Sequence, residues 1–360
     1  MSEQAHTAEP AGADSVPSLR LSVIIPARNE AHSLPACLNS LLSQSERGFA
    51  LGQQWEIIVI DDESTDGTGD VARKTAAGSD GVTILPAPAL DLSDRGGFTG
   101  KNNACWAGAQ HSRGAWLLFT DADTVHEPGD LSRALHEAEK YKAALLSYSP
   151  RQIVSGFWQH AVMPLIFSEL ASVYPPKQVS DPASPLAAAN GQFLLIRRDT
   201  YFDVGGHRVI GKEILEDVAL ARAVKRSNHN IRFRYAPEAL STRMYSSLGE
   251  MIEGWTKNLA LLFPRPLFLA AMRTLQFLLF FTLPLIALGM PGLIYWQRWA
   301  ILLVWLRATW AFYHRVARAH FPAADTAVSI LGVPLFVWLL LRSATNKTVD
   351  WKGRRYNAGT

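Results

Sequence analysis

The pattern of apolar and polar positions predicts strands that alternate with helices over the first 150 residues. Short runs rich in Val and Ile are typical of buried strands, and the segments between them have helical spacing. This alternation predicts an α/β fold, with helices on both faces of a mainly parallel sheet. The predicted strands are LSVIIPA (21–27), WEIIVID (55–61), VTILPA (82–87), AWLLFTD (115–121) and AALLSYSP (143–150), which closes the series, and the predicted helices cover about 33–44, 68–77, 100–111 and 128–141.

The chain changes character after about Pro264, where three apolar stretches follow at roughly 267–288, 293–312 and 327–341. From Ser246 onward there are 12 Lys/Arg and 4 Asp/Glu, whereas residues 1–245 hold 23 basic and 28 acidic residues. An acidic first part and a basic, apolar second part predict a soluble domain joined to a membrane-facing region.

These features divide the chain into five parts. We predict a disordered tail at 1–19, a catalytic domain at 20–245, an interfacial linker at 246–266, a membrane region of two or three apolar helices at 267–345 and a basic tail at 346–360. The first residues are polar and lack the apolar core of a signal peptide, so we expect the chain to start in the cytosol. Two cysteines without paired spacing favour a reducing compartment and no zinc site.

Polar clusters follow three of the predicted strands: ARNE, DDESTD and DADT. Ligands of such sheets bind beyond the carboxyl ends of the strands, so the clusters are expected to converge. In an extended segment Asp121 and Asp123 would point to the same side and suit Mg²⁺ or Mn²⁺. A solvated loop explains the same pair. DADTV also resembles the nucleophile motif of haloacid-dehalogenase-like phosphatases, in which Asp121 would attack phosphorus and Asp123 would be the acid/base.

Other charged residues have both a structural and a functional explanation. Asp61 and Asp62 form either a hydrated turn or acceptors for a nucleobase and a ribose. Lys101 either is solvated beside a helix cap or faces a phosphate. Glu216 and Asp217 either stabilise the first turn of a helix or supply a general base.

The last motif stands near the start of the apolar region. In GEMIEGWTKN, Trp255 and Lys257 are explained by a position at a membrane interface, with the lysine snorkelling. The alternative is a place at the acceptor and phosphate side of an active site. Nothing in the sequence indicates a nucleic acid partner.

Together these motifs resemble glycosyltransferase family 2, whose members have a GT-A fold and use nucleotide-diphosphate sugars. The matching segments are IPARNE, VIDDESTDGT, GKNNACWAGA, LLFTDADT, NGQFLLIRRDTYFDVGGH and EDVALAR, in the order of the family, over roughly residues 20–260. The apolar region and the terminal WKGRRY are similar to carotenoid- and hopanoid-associated membrane glycosyltransferases.

The resemblance implies a role for each matching position. Asp121 and Asp123 would hold Mg²⁺ or Mn²⁺, Asp217 would be the catalytic base and Glu216 would lie beside it. The implied donor-binding residues are Pro26, Arg28 and Glu30 at the nucleotide, Asp61 and Asp62 at uracil and ribose, Lys101 at the diphosphate, and Asp121.

One segment departs from the family pattern. Many processive relatives have Gln-x-x-Arg-Trp where this chain has MIEGW (251–255), with Met251 and Gly254 in place of Gln and Arg. Trp255 is retained, and Lys257 is expected to replace the missing cation. The resemblance therefore favours a single sugar transfer over polymer synthesis.

The resulting hypothesis is an inverting transfer of a sugar, expected from a UDP-sugar, to a hydroxyl or carboxyl of a lipid acceptor. The phosphatase and a non-catalytic nucleotide-sugar binding protein are the alternatives. The expected location is the cytoplasmic (inner) membrane as a multi-pass protein, with the catalytic domain in the cytosol. Because basic residues favour the cytosolic side, we expect the first two apolar stretches to span as a hairpin. The third, interrupted by Gly332 and Pro334, would enter and return without crossing.

Overall fold

The computed structural model describes residues 19–90, 98–346, 348–351 and 354–357. Its centre is a seven-stranded sheet in the order β3-β2-β1-β4-β8-β6-β9, beside a small sheet in the order β5-β10-β7. The strands are β1 (Leu21–Ala27), β2 (Trp55–Asp61), β3 (Val82–Pro86), β4 (Trp116–Phe119), β5 (Thr124–His126), β6 (Leu145–Ser149), β7 (Arg151–Gln152), β8 (Leu194–Arg197), β9 (Ile231–Tyr235), β10 (Leu240–Thr242), β11 (Thr348–Trp351) and β12 (Arg354–Asn357).

Helices cover the sheet and continue beyond it. They are α1 (Leu34–Leu42), α2 (Thr68–Thr75), α3 (Gly100–His111), α4 (Asp130–Lys140), α5 (Gly156–Val173), α6 (Pro176–Val179), α7 (Arg198–Asp203), α8 (Gly206–Val209), α9 (Glu216–Arg226), α10 (Leu248–Leu262), α11 (Pro266–Gly289), α12 (Tyr295–Val316) and α13 (Ala323–Thr345). A single 3₁₀ turn, Ala317–Ala319, joins α12 to the segment before α13.

The central strands are apolar because both faces of the sheet are covered. Along β1, Val23 and Ile25 pack with α1, α2 and α4, whereas Ile24 points to the opposite face and packs with α3 and α9. Gly108 brings α3 close to the sheet, since a Cβ there would lie 2.5 Å from Cγ2 of Ile24. The predicted α/β fold with a mainly parallel sheet is confirmed.

The prediction that residue 150 closes the series of strands is wrong. β8 enters the sheet between β4 and β6 and is antiparallel to both, and β9 then pairs parallel with β6. β9 reads IRFRY, and its alternating arginines conceal it from a search for apolar runs. These two strands matter for the site, because the segment between them carries Glu216 and Asp217.

The third apolar stretch is one continuous helix, so the predicted entry and return within it is wrong. α13 runs through Gly332 and Pro334 without a break. Gly332 serves helix packing, because a Cβ there would lie 2.3 Å from the carbonyl oxygen of Ala161 in α5. By length and composition, α11 and α13 are the two described helices that could cross a membrane.

Both predicted tails are only partly described. Of the predicted disordered segment 1–19, residues 1–18 lie outside the described residues. In the basic tail 346–360, the backbone of 348–351 and 354–357 forms an antiparallel hairpin, and β11 lies against α10. Residues 347, 352–353 and 358–360 lie outside the described part of the chain.

Candidate active site

The polar clusters that follow β1, β2 and β4 meet at one edge of the sheet. The three strands are parallel neighbours, with Ala27 level with Asp61 at the ends of β1 and β2. Two cavities open at this edge and share a wall.

The first cavity, termed the polar cavity, has a volume of ≈ 160 Å³. Its lining combines the ends of β1 and β2, the loop after β4, and the first turns of α3 and α9. The lining residues are Pro26, Ala27, Arg28, Glu30, Asp62, Thr99, Lys101, Asp121, Ala122, Asp123, Ile214, Glu216 and Lys257.

The second cavity, termed the apolar cavity, is larger, at ≈ 850 Å³. It extends from the shared wall between α5, α10 and β9, and it reaches the 3₁₀ turn that follows α12. Its apolar lining includes Phe167, Leu170, Tyr174, Phe233 and Leu262. Asp217 lies on this side, and Arg318 and His320 lie at the 3₁₀ turn.

The wall between the cavities is built around a lysine bridge. Nζ of Lys101 lies 2.7 Å from Oδ1 of Asp121 and 2.7 Å from Oε1 of Glu216. Burial alone would lower the pKa of Lys101, but these two carboxylates outweigh it and raise the pKa. Lys101 therefore stays charged and links the loop after β4 to the start of α9. The shared residues are Lys101, Asp121, Asp123, Ile214, Glu216 and Lys257.

Asp121 and Asp123 face both cavities, but the backbone between them does not have the predicted extended conformation. β4 ends at Phe119, and the backbone N–H of Thr124 donates to the carbonyl oxygen of Asp121 at 3.2 Å, which closes a turn. A turn, and not an extended segment, therefore places both aspartates at the wall between the cavities. Thr242 of β10 donates to the carbonyl oxygen of Asp123 at 3.3 Å and fixes the turn against the small sheet.

The acidic pair at the start of α9 has two different environments. Burial would raise the pKa of Glu216, but the charge and hydrogen bond of Lys101 outweigh it and lower the pKa. Asp217 accepts hydrogen bonds from the backbone N–H groups of Gly191 at 2.9 Å and Val218 at 2.7 Å. Burial, together with the charge of Glu216, raises the pKa of Asp217 to about 7. A carboxylate with such a pKa can exchange a proton near neutral pH.

If Asp217 acts as a base, its pKa determines the pH dependence of the activity. The carboxyl is protonated well below pH 7 and ionised above it, so kcat/KM should rise between pH 6 and 8 and level off. In Glu216→Gln the loss of the neighbouring negative charge should move this rise to lower pH. A pH–rate profile of both proteins measures this, and a flat or falling wild-type profile would contradict it.

The predicted nucleotide-side residues are brought together with one exception. Arg28 donates to the carbonyl oxygen of Asp62 at 2.5 Å, and Ser33 at the start of α1 donates to Glu30. Arg28, Glu30 and Asp62 line the polar cavity, whereas Asp61 does not. Oδ1 of Asp61 instead accepts from the backbone N–H of Ser64 at 3.1 Å. The predicted contact of Asp61 with a nucleobase stays a prediction.

α10 places Trp255 and Lys257 at the site. Lys257 faces both cavities, and burial lowers its pKa despite the opposing charge of Glu216. Trp255 is buried, and its Nε1 lies 3.2 Å from Sδ of Met163. Position 254 must be small, since a Cβ on Gly254 would lie 2.5 Å from the ring of Tyr245. Packing therefore leaves no room at position 254 for the arginine of Gln-x-x-Arg-Trp, because that side chain would displace Tyr245.

Several site residues were given no role from sequence. Nδ2 of Asn102 donates to the carbonyl oxygens of Ile210, Gly211 and Glu213, at 2.9–3.1 Å, and ties α3 to the segment before α9. Gly191 donates to Asp217, and it lies in the quoted segment NGQFLLIRRDTYFDVGGH, which could have marked it. Arg318 and His320 come from beyond α12, and no local signal indicates that they reach the cavity.

Asp121 and Asp123 fit a divalent cation as a partial ligand set. Within the described ranges no group of three or more His, Cys, Asp or Glu side chains could hold a metal. Mg²⁺ and Mn²⁺ accept few protein carboxylates and complete their coordination with water and substrate phosphates. Two carboxylates that border an open polar cavity match that requirement.

The mixed α/β fold with a mainly parallel sheet is that of the GT-A glycosyltransferases. The family model for "Glycosyl transferase family 2" matches residues 22–218, and the chain belongs to that family. The phosphatase hypothesis for Asp121 loses its basis, because the motif lies within this family match.

Known relatives agree with the family and differ in length. A 4,4'-diaponeurosporenoate glycosyltransferase from Staphylococcus haemolyticus is 31% identical over 67% of this chain and 61% of its own length. The Staphylococcus aureus (strain MRSA252) protein of the same name is 29% identical over 67% of this chain and 60% of its own length. The chain thus spans about three fifths of the length of these curated relatives.

A solved structure supports the fold. A mannosyltransferase from Pyrobaculum calidifontis, in complex with GDP-Man and Mn²⁺, has a TM-score of 0.51 and 17% identity. The match covers 93% of this chain and 89% of that one.

Proposed function

We propose that the protein transfers one sugar from a nucleotide-diphosphate sugar, expected to be a UDP-sugar, to a hydroxyl or carboxyl of a lipid acceptor. The observation that carries this proposal is the shared wall, at which a polar cavity and an apolar cavity meet. The charged lining of the first, with Arg28, Lys101 and the two aspartates, suits the diphosphate part of the donor. A long apolar molecule suits the second.

The family relatives support an acceptor of this kind. They are named for a diaponeurosporenoate substrate, and we propose for this chain an elongated apolar acceptor with one polar end. The polar end would face Asp217, and the apolar body would lie along Phe167, Leu170 and Leu262. The expected location is the cytosolic face of the cytoplasmic membrane, where nucleotide sugar and lipid meet.

The proposed mechanism is a single displacement with inversion at the anomeric carbon. The acceptor oxygen attacks the anomeric carbon from the face opposite the diphosphate, and Asp217 takes the proton that this oxygen loses. Burial in the apolar cavity favours the neutral form of a carboxyl acceptor, so that acceptor also brings a proton. Lys101 and Lys257 stabilise negative charge on the departing diphosphate. Asp121 and Asp123 would hold Mg²⁺ or Mn²⁺, which would neutralise diphosphate charge when bound.

The experiment that tests this proposal is a donor screen. Membranes that contain the protein are incubated with a panel of labelled nucleotide sugars, and the lipids are then extracted and analysed. We expect label in one lipid class with one donor. Label that stays in the aqueous phase with every donor would favour a binding protein without turnover, and a trapped phosphoaspartate at Asp121 would favour the phosphatase.

A substitution in the apolar cavity should impair use of the lipid acceptor without changing the affinity for the nucleotide donor. Ala171 lines the apolar cavity and not the polar one, so Ala171→Trp should fill acceptor space and leave the donor site intact. We expect sugar transfer to the lipid to be lost, with nucleotide affinity unchanged in calorimetry. Ala183→Trp, at an exposed position outside both linings, is the matched control. Equal transfer by both variants would exclude this cavity as the acceptor site.

A further inference from the structure

We propose that α11 and α12 form a hairpin that inserts into one leaflet of a membrane from the catalytic side and does not reach the opposite face. This rests on the proposed function only in that the base of the hairpin adjoins the apolar cavity. It replaces the expectation that the first two apolar stretches span the membrane.

The hairpin presents an apolar surface that the rest of the protein does not cover. Leu285 and Leu288 at the end of α11 are 71% and 73% exposed. Large apolar side chains continue around the turn and along α12. The exposed ones include Leu278, Phe281, Met290, Ile294, Trp296, Trp299, Leu303, Val304 and Leu306. A contiguous surface of this kind marks an interaction site, and hydrocarbon chains match its composition.

A buried ion-pair network fixes the base of the hairpin to the catalytic domain. Nε and Nη2 of Arg273 donate to the carboxylate of Glu169 in α5, at 2.8 and 3.1 Å. Arg315 lies 3.4 Å from the same carboxylate and donates to Gln276 at 3.1 Å. These charges are paired with α5 and hold both helices of the hairpin to the catalytic domain at this level. Exposed apolar side chains of α11 also lie before and around Arg273, at Leu267, Phe268, Met272 and Leu275.

The part of the hairpin beyond this network is too short to cross a bilayer. Residues 277–289 rise by roughly 20 Å as a helix, and residues 295–306, which precede Arg307, by roughly 18 Å. A hydrocarbon core is about 30 Å thick. Nε1 of Trp305 donates to the carbonyl oxygen of Phe280 at 2.8 Å, so the two segments lie side by side. A full crossing would draw Arg307 and the ion-pair network into the hydrocarbon.

The one basic residue near the tip of the hairpin, Arg298, is hydrogen-bonded within the tip itself. The guanidinium of Arg298 donates to the carbonyl oxygens of Ala287, Leu288, Met290 and Leu293, at 2.7–3.2 Å. These carbonyls lie at the end of α11 and in the turn, where the helix dipole also favours a positive charge. Arg298 thus has hydrogen bonds to carbonyl oxygens within the protein.

Both ends of α13 are bonded to the catalytic domain. This agrees with a hairpin that returns to the side of the membrane from which it entered. Near its start, Oδ1 of Asp325 lies 2.8 Å from Nδ1 of His160 in α5. Near its end, Oγ of Ser343 accepts from the backbone N–H of Ala260 in α10 at 2.8 Å. Helices that line the active site therefore hold both ends of α13. A hairpin that enters and returns leaves β11, which lies against α10, on the catalytic side.

Cysteine labelling distinguishes insertion from spanning and from surface binding. Met290→Cys places a thiol at the exposed tip, while the native Cys37 and Cys105 are buried. A membrane-impermeant maleimide is applied to intact bacterial cells, to inverted membrane vesicles, and to vesicles dissolved in detergent. We expect background labelling in the first two and full labelling only after detergent. The matched control is Gln53→Cys, on an exposed loop, which should label fully in inverted vesicles.

Each other result overturns the proposal. Labelling of the tip in intact cells would mean that the hairpin spans the membrane, and labelling in inverted vesicles without detergent would mean that it stays in water. If Met290→Cys does not accumulate, Ile294→Cys, which is also exposed, carries the same test. The readout does not depend on sugar transfer, so a failure of the proposed function would not alter it.

Discussion

Replacing Asp217 with asparagine is expected to lower kcat by about 10²–10⁴-fold, the usual contribution of a general base, and to leave donor affinity unchanged. Asparagine has nearly the same shape, so its side-chain oxygen can still accept from the backbone N–H of Gly191. What is lost is the ability to take a proton. The measurement is initial-rate kinetics of sugar transfer, with donor affinity determined by calorimetry.

Asp203→Asn controls for the loss of a carboxylate elsewhere, because Asp203 is exposed at the end of α7. A rate near that of wild type in Asp217→Asn would remove Asp217 as the base. A loss of donor affinity that accounts for the whole loss of activity would instead place Asp217 in donor binding.

Asp123→Ala is expected to abolish the metal-dependent part of donor binding. Asp121 and Asp123 border both cavities, and Asp121 is bridged by Lys101 while Asp123 is fixed through its backbone by Thr242. Removing one of the two carboxylates leaves Asp121 as the single aspartate of the pair, so Mg²⁺ or Mn²⁺ should no longer be held tightly enough to add to donor affinity. Calorimetric titration with UDP, with and without Mn²⁺, measures the effect.

Asp70→Ala is a suitable control, since Asp70 is an exposed carboxylate in α2 that pairs with Arg73. If Asp123→Ala keeps wild-type affinity and the same dependence on Mn²⁺, the pair is a structural turn and not a metal site. The solvated-loop explanation of DADT would then stand.

The centre of the sheet in the first half could be predicted because β1, β2, β4 and β6 are short apolar runs buried on both faces. The bounds of β1 and β2 agree with the prediction residue for residue. β9 could not be found in this way, since Arg232 and Arg234 alternate with its apolar residues and pair with Glu137. The continuity of α13 was missed because Gly332 and Pro334 indicate a break unless the close packing of α5 is known.

The convergence of the polar clusters could be predicted from sequence because parallel strands end at the same edge of the sheet. The sequence could not show which charged side chains pair with each other at the site. Lys101 was expected to face a diphosphate, and in the structure it bridges Asp121 and Glu216. Contacts between residues so distant in sequence depend on the whole fold, as does the apolar cavity formed by α5, α10 and the turn after α12.

The central claim is a direct transfer of sugar between the two cavities in a single displacement. It is tested most directly by the anomeric configuration of the glycolipid product, measured by NMR on product made from a donor of known configuration. We expect the inverted anomer, a β-linked lipid from an α-linked nucleotide sugar. A product with retained configuration would contradict the account, because it would require a covalent intermediate or a front-face mechanism that Asp217 as a base does not provide.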